Sequence, residues 1–205
     1  MGGREHWQRV YTEKAAAEVS WYQAHLERSL EFIRGCRLGP SARIVDVGGG
    51  ASTLVDDLLG DGYTNLAVID LAEAALAAAR QRLGERGAAV DWITGDVTTA
   101  LLPAQSVDFW HDRAVFHFLT AAEGRAAYVA QVIRSVKPGG HVLVATFGLD
   151  GPLKCSGLPV ARYDAAGIHA EFGDVFEQVG AATEQHQTPW GSAQSFVYCL
   201  CRRRG

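Results

Sequence analysis

Three aspartates stand where short apolar runs end. Asp46 lies in Ile44-Val45-Asp46-Val47, Asp70 closes Leu66-Ala67-Val68-Ile69-Asp70, and Asp96 follows Val90-Asp91-Trp92-Ile93-Thr94-Gly95. Each run reads as a buried strand. Gly48, Gly49 and Gly50 come directly after the first, and Leu54, Val55, Leu58 and Leu59 then recur at helical spacing. That is a strand, a tight turn and a helix start, where missing Cβ atoms let backbone approach a ligand. The helix N-terminus offers free N–H groups to a polar or anionic group. Asp70 stands about twenty residues beyond the glycines, where a carboxylate can accept hydrogen bonds from both hydroxyls of a ribose. Alone, Asp70 would serve equally as a helix N-cap, and Asp96 as a turn residue. Three acids at three strand ends line the edge where open α/β sheets bind ligands, so the chemistry is nucleotide recognition.

A second reactive group follows, in Val107-Asp108-Phe109-Trp110-His111-Asp112-Arg113-Ala114-Val115-Phe116-His117-Phe118-Leu119. Arg113 is suited to an anionic acceptor, or to lowering the pKa of a thiol, ordinarily about 8.5. The structural alternative is an ion pair with Asp112 or another carboxylate. His111 and His117 are candidate general bases. Together with Asp112 they lack the spacing of a metal site, and no metal is expected. Asp112 with Trp110 and Phe116 could instead form a pocket for a lysine. No convincing Ser-His-Asp or Cys-His arrangement is present. Cys155, in a Gly/Pro-rich loop, is a candidate wall of an acceptor pocket.

These residues need elements to position them. Residues 5–35 read as helical, with Trp7, Val10 and Tyr11 on one face and Trp21, Tyr22, His25, Leu26, Leu30 and Ile33 in a longer stripe. Ala15-Ala16-Ala17 between them leaves open whether the helix breaks there. Trp7 is expected to pack on the main domain, and Trp21 and Tyr11 are candidate covers for a ligand. An alanine-rich helix runs to Leu83. Another begins at Thr120-Ala121-Ala122-Glu123, a capping-box pattern, with Val129, Val132, Ile133 and Val136 as its buried stripe. Lys137-Pro138-Gly139-Gly140 turns into a strand from His141 to Phe147. After an irregular loop from Gly148 to Arg162, a helix from about Asp164 presents Ile168, Phe172, Phe176 and Val179. Strands over Ala181–Thr188 and Ser195–Arg202 close the chain, with Cys199 and Cys201 as core thiols.

With 205 residues, 48% of them hydrophobic and 20% charged, the chain is expected to be one soluble globular domain. A formal net charge of −4 argues against nucleic acid or an anionic membrane as partner. No signal-peptide pattern or bilayer-length apolar run is present, and Cys36, Cys155, Cys199 and Cys201 lack disulfide-framework or metal spacing. Reduced thiols in a cytoplasmic protein are the expectation.

The stretch from Asp46 to Gly50 resembles D-x-G-x-G, the first motif of class I S-adenosylmethionine (SAM)-dependent methyltransferases. A dinucleotide fingerprint wants a third glycine where Thr53 stands, and a closing hairpin is foreign to a simple NAD domain. The passage strand, helix, Lys137-Pro138-Gly139-Gly140, strand is also similar to that family. The resemblance covers about residues 40–202. It implies a single α/β domain: a seven-stranded Rossmann-like sheet, mostly parallel with an antiparallel C-terminal strand, helices on both faces, residues 1–38 as a helical lid and 41–202 as the catalytic core. It implies SAM as cofactor, held by Asp46, Gly48, Gly50, Thr53, Asp70, Leu71, Asp96, Val97 and His111, with Tyr11 and Trp21 closing over it. Asp96-Val97 matches the position that holds the adenine. His111-Asp112-Arg113-Ala114 is similar to the Asp-Arg-Gly passage of thiopurine and related thiol methyltransferases, with Ala114 in place of glycine. The expected activity is methyl transfer to a small-molecule acceptor, a thiol or other soft nucleophile first. A protein lysine methyltransferase of the same fold, and an NAD-type or non-catalytic nucleotide-binding protein, are the alternatives.

Overall fold

The computed structural model describes residues 3–13 and 18–205; Ala15-Ala16-Ala17 lies outside them. Helix α1 (Arg4–Glu13) is followed, after an irregular segment, by α2 (Glu27–Gly35). The α/β core then runs β1 (Arg43–Val47), α3 (Leu54–Gly60), β2 (Asn65–Asp70), α4 (Glu73–Leu83), β3 (Val90–Thr94) and β4 (Val107–Arg113). It continues with α5 (Ala122–Ser135), β5 (Val136–Phe147), a two-residue ladder of β6 (Lys154–Cys155) with β7 (Leu158–Pro159), α6 (Ala165–Phe172), β8 (Phe176–Gln187) and β9 (Ala193–Arg203).

Seven strands form one sheet in the order β3-β2-β1-β4-β5-β9-β8. All run parallel except β9, which is antiparallel to both neighbours. The chain moves outward from β1 to β3 and returns to β4 on the other side. β1 and β4 therefore flank the point where strand order reverses, and their carboxyl ends open into the ligand crevice of such sheets.

Strand side chains alternate between faces, and that period divides the core in two. Ile44 and Phe109 pack on the side of α2, α3 and α4 with Leu30, Ile33, Leu54 and Leu76. Val45, Val47 and Trp110 pack on the opposite side with Tyr128 and Val132 of α5 and Ile168 and Phe172 of α6. Both layers are sealed, with Phe109 and Trp110 at 0% exposure. Truncating either to alanine would cost about 3–5 kcal/mol.

The local structure departs from sequence expectation in several places. Trp21 to Leu26 is not helical; α2 begins only at Glu27, because the carbonyls before it are taken by side chains of other elements. The capping box at Thr120 does not form: Ala121 is the N-cap, without a side-chain bond. The buried stripe of α5 is rotated to Tyr128, Gln131, Val132 and Ser135. Lys137 to Gly140 belongs to β5, with Lys137 bound to Asp108 at 2.7 Å. Gly173, at φ +68°, ends α6, so Phe176 belongs to β8 and Val179 is exposed.

Candidate functional site

Two adjoining cavities open at the carboxyl ends of β1, β2 and β4, and both are lined by Tyr11, Trp21, Val47, Gly48 and Arg113. The first encloses about 640 Å³, open to solvent at its mouth, and extends past Asp70, Leu71, Gly95 and Val97. The second lies over Asp46 and His111, with Tyr22, Gln23 and Leu26 of the irregular N-terminal segment as its opposite wall.

The glycine turn makes room for carboxylates. Gly48 holds φ +67°, a left-handed conformation, while its N–H donates to the Ile69 carbonyl at 2.7 Å. A Cβ on Gly50 would stand 2.6 Å from Oδ2 of Asp70, so a side chain there would displace the acid. Asp70 accepts the Ala72 N–H at 2.8 Å. Burial, with help from the Asp46 charge, raises its pKa to about 7.

Asp46 is aimed by a buried relay. Its Oδ1 lies 2.7 Å from Nδ1 of His111, whose Nε2 lies 2.8 Å from the Ser29 hydroxyl of α2. Ser29 is fully buried, so this Ser-His-Asp order orients the carboxylate and presents no nucleophile. The other oxygen, Oδ2, is buried with no hydrogen-bond partner among the described residues. An unpaired buried carboxylate oxygen is costly, and a ligand bringing a cationic N–H donor would satisfy it.

The expected residues separate into those the fold brings together and those it does not. Asp46, Gly48, Asp70, Leu71, Val97, His111, Arg113, Tyr11 and Trp21 line the two cavities. Gly50 lies behind Asp70. Asp96 accepts from the Thr98 N–H and hydroxyl at 2.8 and 2.7 Å, while Gly95 and Val97 on either side face the cavity. Thr53 lines neither cavity; its hydroxyl donates to the Gln23 carbonyl at 3.2 Å and ties down the N-terminal segment. His111, expected as a base, has both ring nitrogens engaged by Asp46 and Ser29.

Asp112 is corrected outright. Strand alternation turns it away from His111 and Arg113 to the α5 face. There it accepts from the N–H groups of Val115 and Phe116 and from the Tyr128 hydroxyl at 2.6 Å. Burial raises its pKa to about 6. Trp110 and Phe116 lie on the same far face, so a lysine pocket built from these three does not exist at the cavity. His117 is likewise sealed, between Phe118 and Phe147, with both ring nitrogens unpartnered among the described residues and its pKa pushed down to about 3 by burial. It stays neutral and reaches neither cavity.

Arg113 does not pair with Asp112. Its Nε donates to the Tyr198 hydroxyl at 3.1 Å, one terminal nitrogen donates to the Trp21 carbonyl at 3.0 Å, and the other lies 3.8 Å from Glu184 without a hydrogen bond. The guanidinium also sits 4.2 Å over the Phe196 ring. Ala114, next to it on the cavity wall, adopts φ +70°. A glycine would take that conformation without strain, which explains the local likeness to a glycine-bearing passage.

Aromatic rings wall the outer part of the first cavity. Trp7 meets Trp21 and Phe118 edge-on, with centroids 5.9 and 5.1 Å apart, and Tyr11 meets Trp21 at 6.3 Å. Trp7 therefore packs on the domain as expected and lines the cavity as well. Cys155 completes this wall, its thiol pushed up to about 12 by burial. Sequence reasoning missed Phe118, Gly95, Gln23 and Ser29, which carry no motif. No group of three His, Cys, Asp or Glu among the described residues could hold a metal ion, and no described helix is long and apolar enough to cross a membrane.

Comparison with known proteins agrees with this fold. Residues 44–140 match the methyltransferase-domain family. The mouse eEF1A lysine and N-terminal methyltransferase is 22% identical over 143 residues, covering 70% of this chain but only 20% of that protein; the chain spans about a fifth of that relative's length. Among solved structures, one from work on the conversion of a disulfide bond into a thioacetal group during echinomycin biosynthesis superposes with a TM-score of 0.80. It is 16% identical, covering 98% of this chain and 92% of that one. The N-methyltransferase NodS from Bradyrhizobium japonicum, in complex with S-adenosyl-l-homocysteine, gives 0.74 at 15% identity, covering 98% and 100%.

Proposed function

We propose that this chain, whose residues 44–140 match the methyltransferase-domain family and whose fold superposes on an N-methyltransferase in complex with S-adenosyl-l-homocysteine, methylates a small, largely apolar acceptor through a thiol or another soft nucleophile.

The residues present fit the cofactor. The unpartnered Oδ2 of Asp46 suits the ammonium of an amino-acid moiety, Asp70 suits ribose hydroxyls, and Leu71, Gly95 and Val97 offer an apolar slot for a base. Bound SAM supplies a methyl group already activated by its sulfonium. The chain's part is to bind, align and exclude water. Trp7, Tyr11, Trp21 and Phe118 supply an apolar wall against which a flat acceptor packs.

One observation carries the acceptor class: the described residues place no competent general base at the acceptor end of the cavity. His111 is engaged, His117 and Asp112 are sealed, the Cys155 thiol is held neutral, and burial pushes the Tyr11 hydroxyl up. An alcohol or a protonated lysine needs a proton removed before it attacks. A thiol, with an ordinary pKa of about 8.5, gives up its proton far more readily than an alcohol or an ammonium, and Arg113 favours the thiolate electrostatically. The superposition on a structure from work on converting a disulfide bond into a thioacetal group supports a sulfur acceptor.

The test pairs calorimetry with a labelled-methyl assay. SAM or its demethylated product should bind in the micromolar range and NAD should not. Aryl thiols should be methylated in preference to phenols, primary amines and lysine peptides. Methylation of lysine peptides without turnover of any small molecule would overturn the acceptor assignment in favour of the protein reading, to which the mouse relative points.

A further inference from the structure

The wall of the second cavity formed by residues 19–26 is non-helical, so its backbone carbonyls must find partners elsewhere. Three do so on side chains from three different elements. Ser20 is met by Nε2 of His186 at 2.6 Å, Trp21 by Arg113 at 3.0 Å and Gln23 by Thr53 at 3.2 Å. Gln23 is held a second time, its side-chain amide donating to Oε1 of Glu184 at 3.3 Å and to Nδ1 of His186 at 3.2 Å. Because Nε2 of His186 faces a carbonyl it carries the proton, which leaves Nδ1 as the acceptor Gln23 needs. Burial lowers the pKa of His186 and keeps it neutral. The other oxygen of Glu184 accepts the Tyr198 hydroxyl at 2.7 Å, and Tyr198 in turn accepts from Arg113.

Glu184 and His186 lie at the carboxyl end of β8, which lines neither cavity. Among the described residues they reach the site through Gln23, Ser20, Tyr198 and Arg113. We propose that Glu184 and His186 are positioning residues that latch the Ser20–Gln23 segment over the bound cofactor and so set the rate at which it is released. The latch rests on the SAM assignment above. Gln23 is the strap's half of the catch, and the two β8 side chains are the fixed half. Closing the strap holds Trp21 and Gln23 against the glycine turn and Asp46, and opening it exposes that end of the ligand to solvent.

The experiment measures release of S-adenosylhomocysteine by rapid-mixing displacement from the full chain, with thermal melting to check the fold. His186→Phe should speed release on the order of tenfold or more, the effect of losing its two buried hydrogen bonds to the strap, at the Ser20 carbonyl and at Gln23. Gln23→Ala should speed it too, whatever its direct contact with ligand. In the Gln23→Ala background, His186→Phe should add clearly less than its full effect in the unaltered chain, because of its two bonds to the strap only the one to the Ser20 carbonyl is left to lose. Independent multiplication of the two effects overturns the latch, as does unchanged release in folded His186→Phe. If His186→Phe fails to fold, Glu184→Leu, which removes the acceptor that the Gln23 amide uses, carries the same cycle with the same two outcomes. Absence of S-adenosylhomocysteine binding by the unaltered chain overturns both the latch and the cofactor assignment, whereas tight binding with unaltered release in every variant overturns the latch alone.

Discussion

Replacing Asp70 by Asn should move stability and ligand binding in opposite directions. The carboxyl is nearly buried, and its pKa rises from 3.8 to about 7, through burial first and the neighbouring Asp46 charge second. In the unfolded chain the proton leaves near 3.8, while in the fold it leaves near 7. Between those values the folded state holds more protons, so stability falls as pH rises through that window. At about 1.4 kcal/mol per pH unit, the burden above pH 7 is at most about 4 kcal/mol. Asn keeps the acceptor for the Ala72 N–H and removes the charge, so we expect the ligand-free protein at pH 8 to gain about 1–3 kcal/mol, or several degrees in Tm. Its melting temperature should also vary less between pH 4 and 7 than that of the unaltered protein. Ligand binding should weaken by about 1–3 kcal/mol, the loss of an ionised acceptor for ribose hydroxyls. Differential scanning calorimetry across pH and titration calorimetry with S-adenosylhomocysteine decide the matter. A variant less stable at pH 8 whose affinity is unchanged would refute both the burial argument and the placement of the ribose.

Arg113→Ala should loosen cofactor binding at least about tenfold as well as lower kcat/KM, because the side chain holds the Trp21 carbonyl besides facing both cavities; Arg113→Lys should recover only part, lacking the planar fork. Part of the lost thiol turnover should return at higher pH, where more acceptor ionises unaided, and a flat pH response would leave Arg113 with a purely structural role. Ala114→Gly should leave Tm equal or slightly raised, since left-handed φ costs alanine about 1 kcal/mol or more that glycine does not incur; a loss of several degrees would contradict the strain assigned there. Asp112→Asn should destabilise by about 1–3 kcal/mol through its lost acceptor for backbone N–H or the Tyr128 hydroxyl, with turnover per folded molecule unchanged; a selective loss of kcat would return Asp112 to the catalytic set.

What was legible in the sequence is what local chemistry dictates. The acids of β1 and β2, the glycines between them and the closing strands are each fixed by a handful of neighbouring residues, and the structure has the acids at the strand ends, the glycines in the turn and the strands as the sheet's last pair. Alternation along β4 was equally readable in principle. In a strand that begins at Val107, His111 and Arg113 must share a face and Asp112 must oppose them. Grouping His111, Asp112 and Arg113 as one catalytic set treats the strand's last residues as a loop, and that error alone produces the misplaced carboxylate. Phe176 and Val179 fail for a related reason. Helical spacing continues in the letters past Gly173, while the backbone turns there.

The polar wall of the second cavity illustrates a different limit. Gln23, Glu184 and His186 belong to no motif, and Gln23 lies far from the other two in the chain. They meet because β9 inserts antiparallel between β5 and β8, carrying Tyr198 beside Arg113 and bringing β8 within reach of the N-terminal segment. The antiparallel hairpin thus does more than close the sheet. On the reading proposed above, the carboxyl ends of β1 and β2 supply the acids for a cofactor, Asp46 and Asp70, and the hairpin joins Arg113 and Thr53 in holding the covering strap. A dinucleotide domain ending after β5 would keep the acids and lose Glu184 and His186, so the proposed latch needs the closing hairpin while the proposed recognition does not.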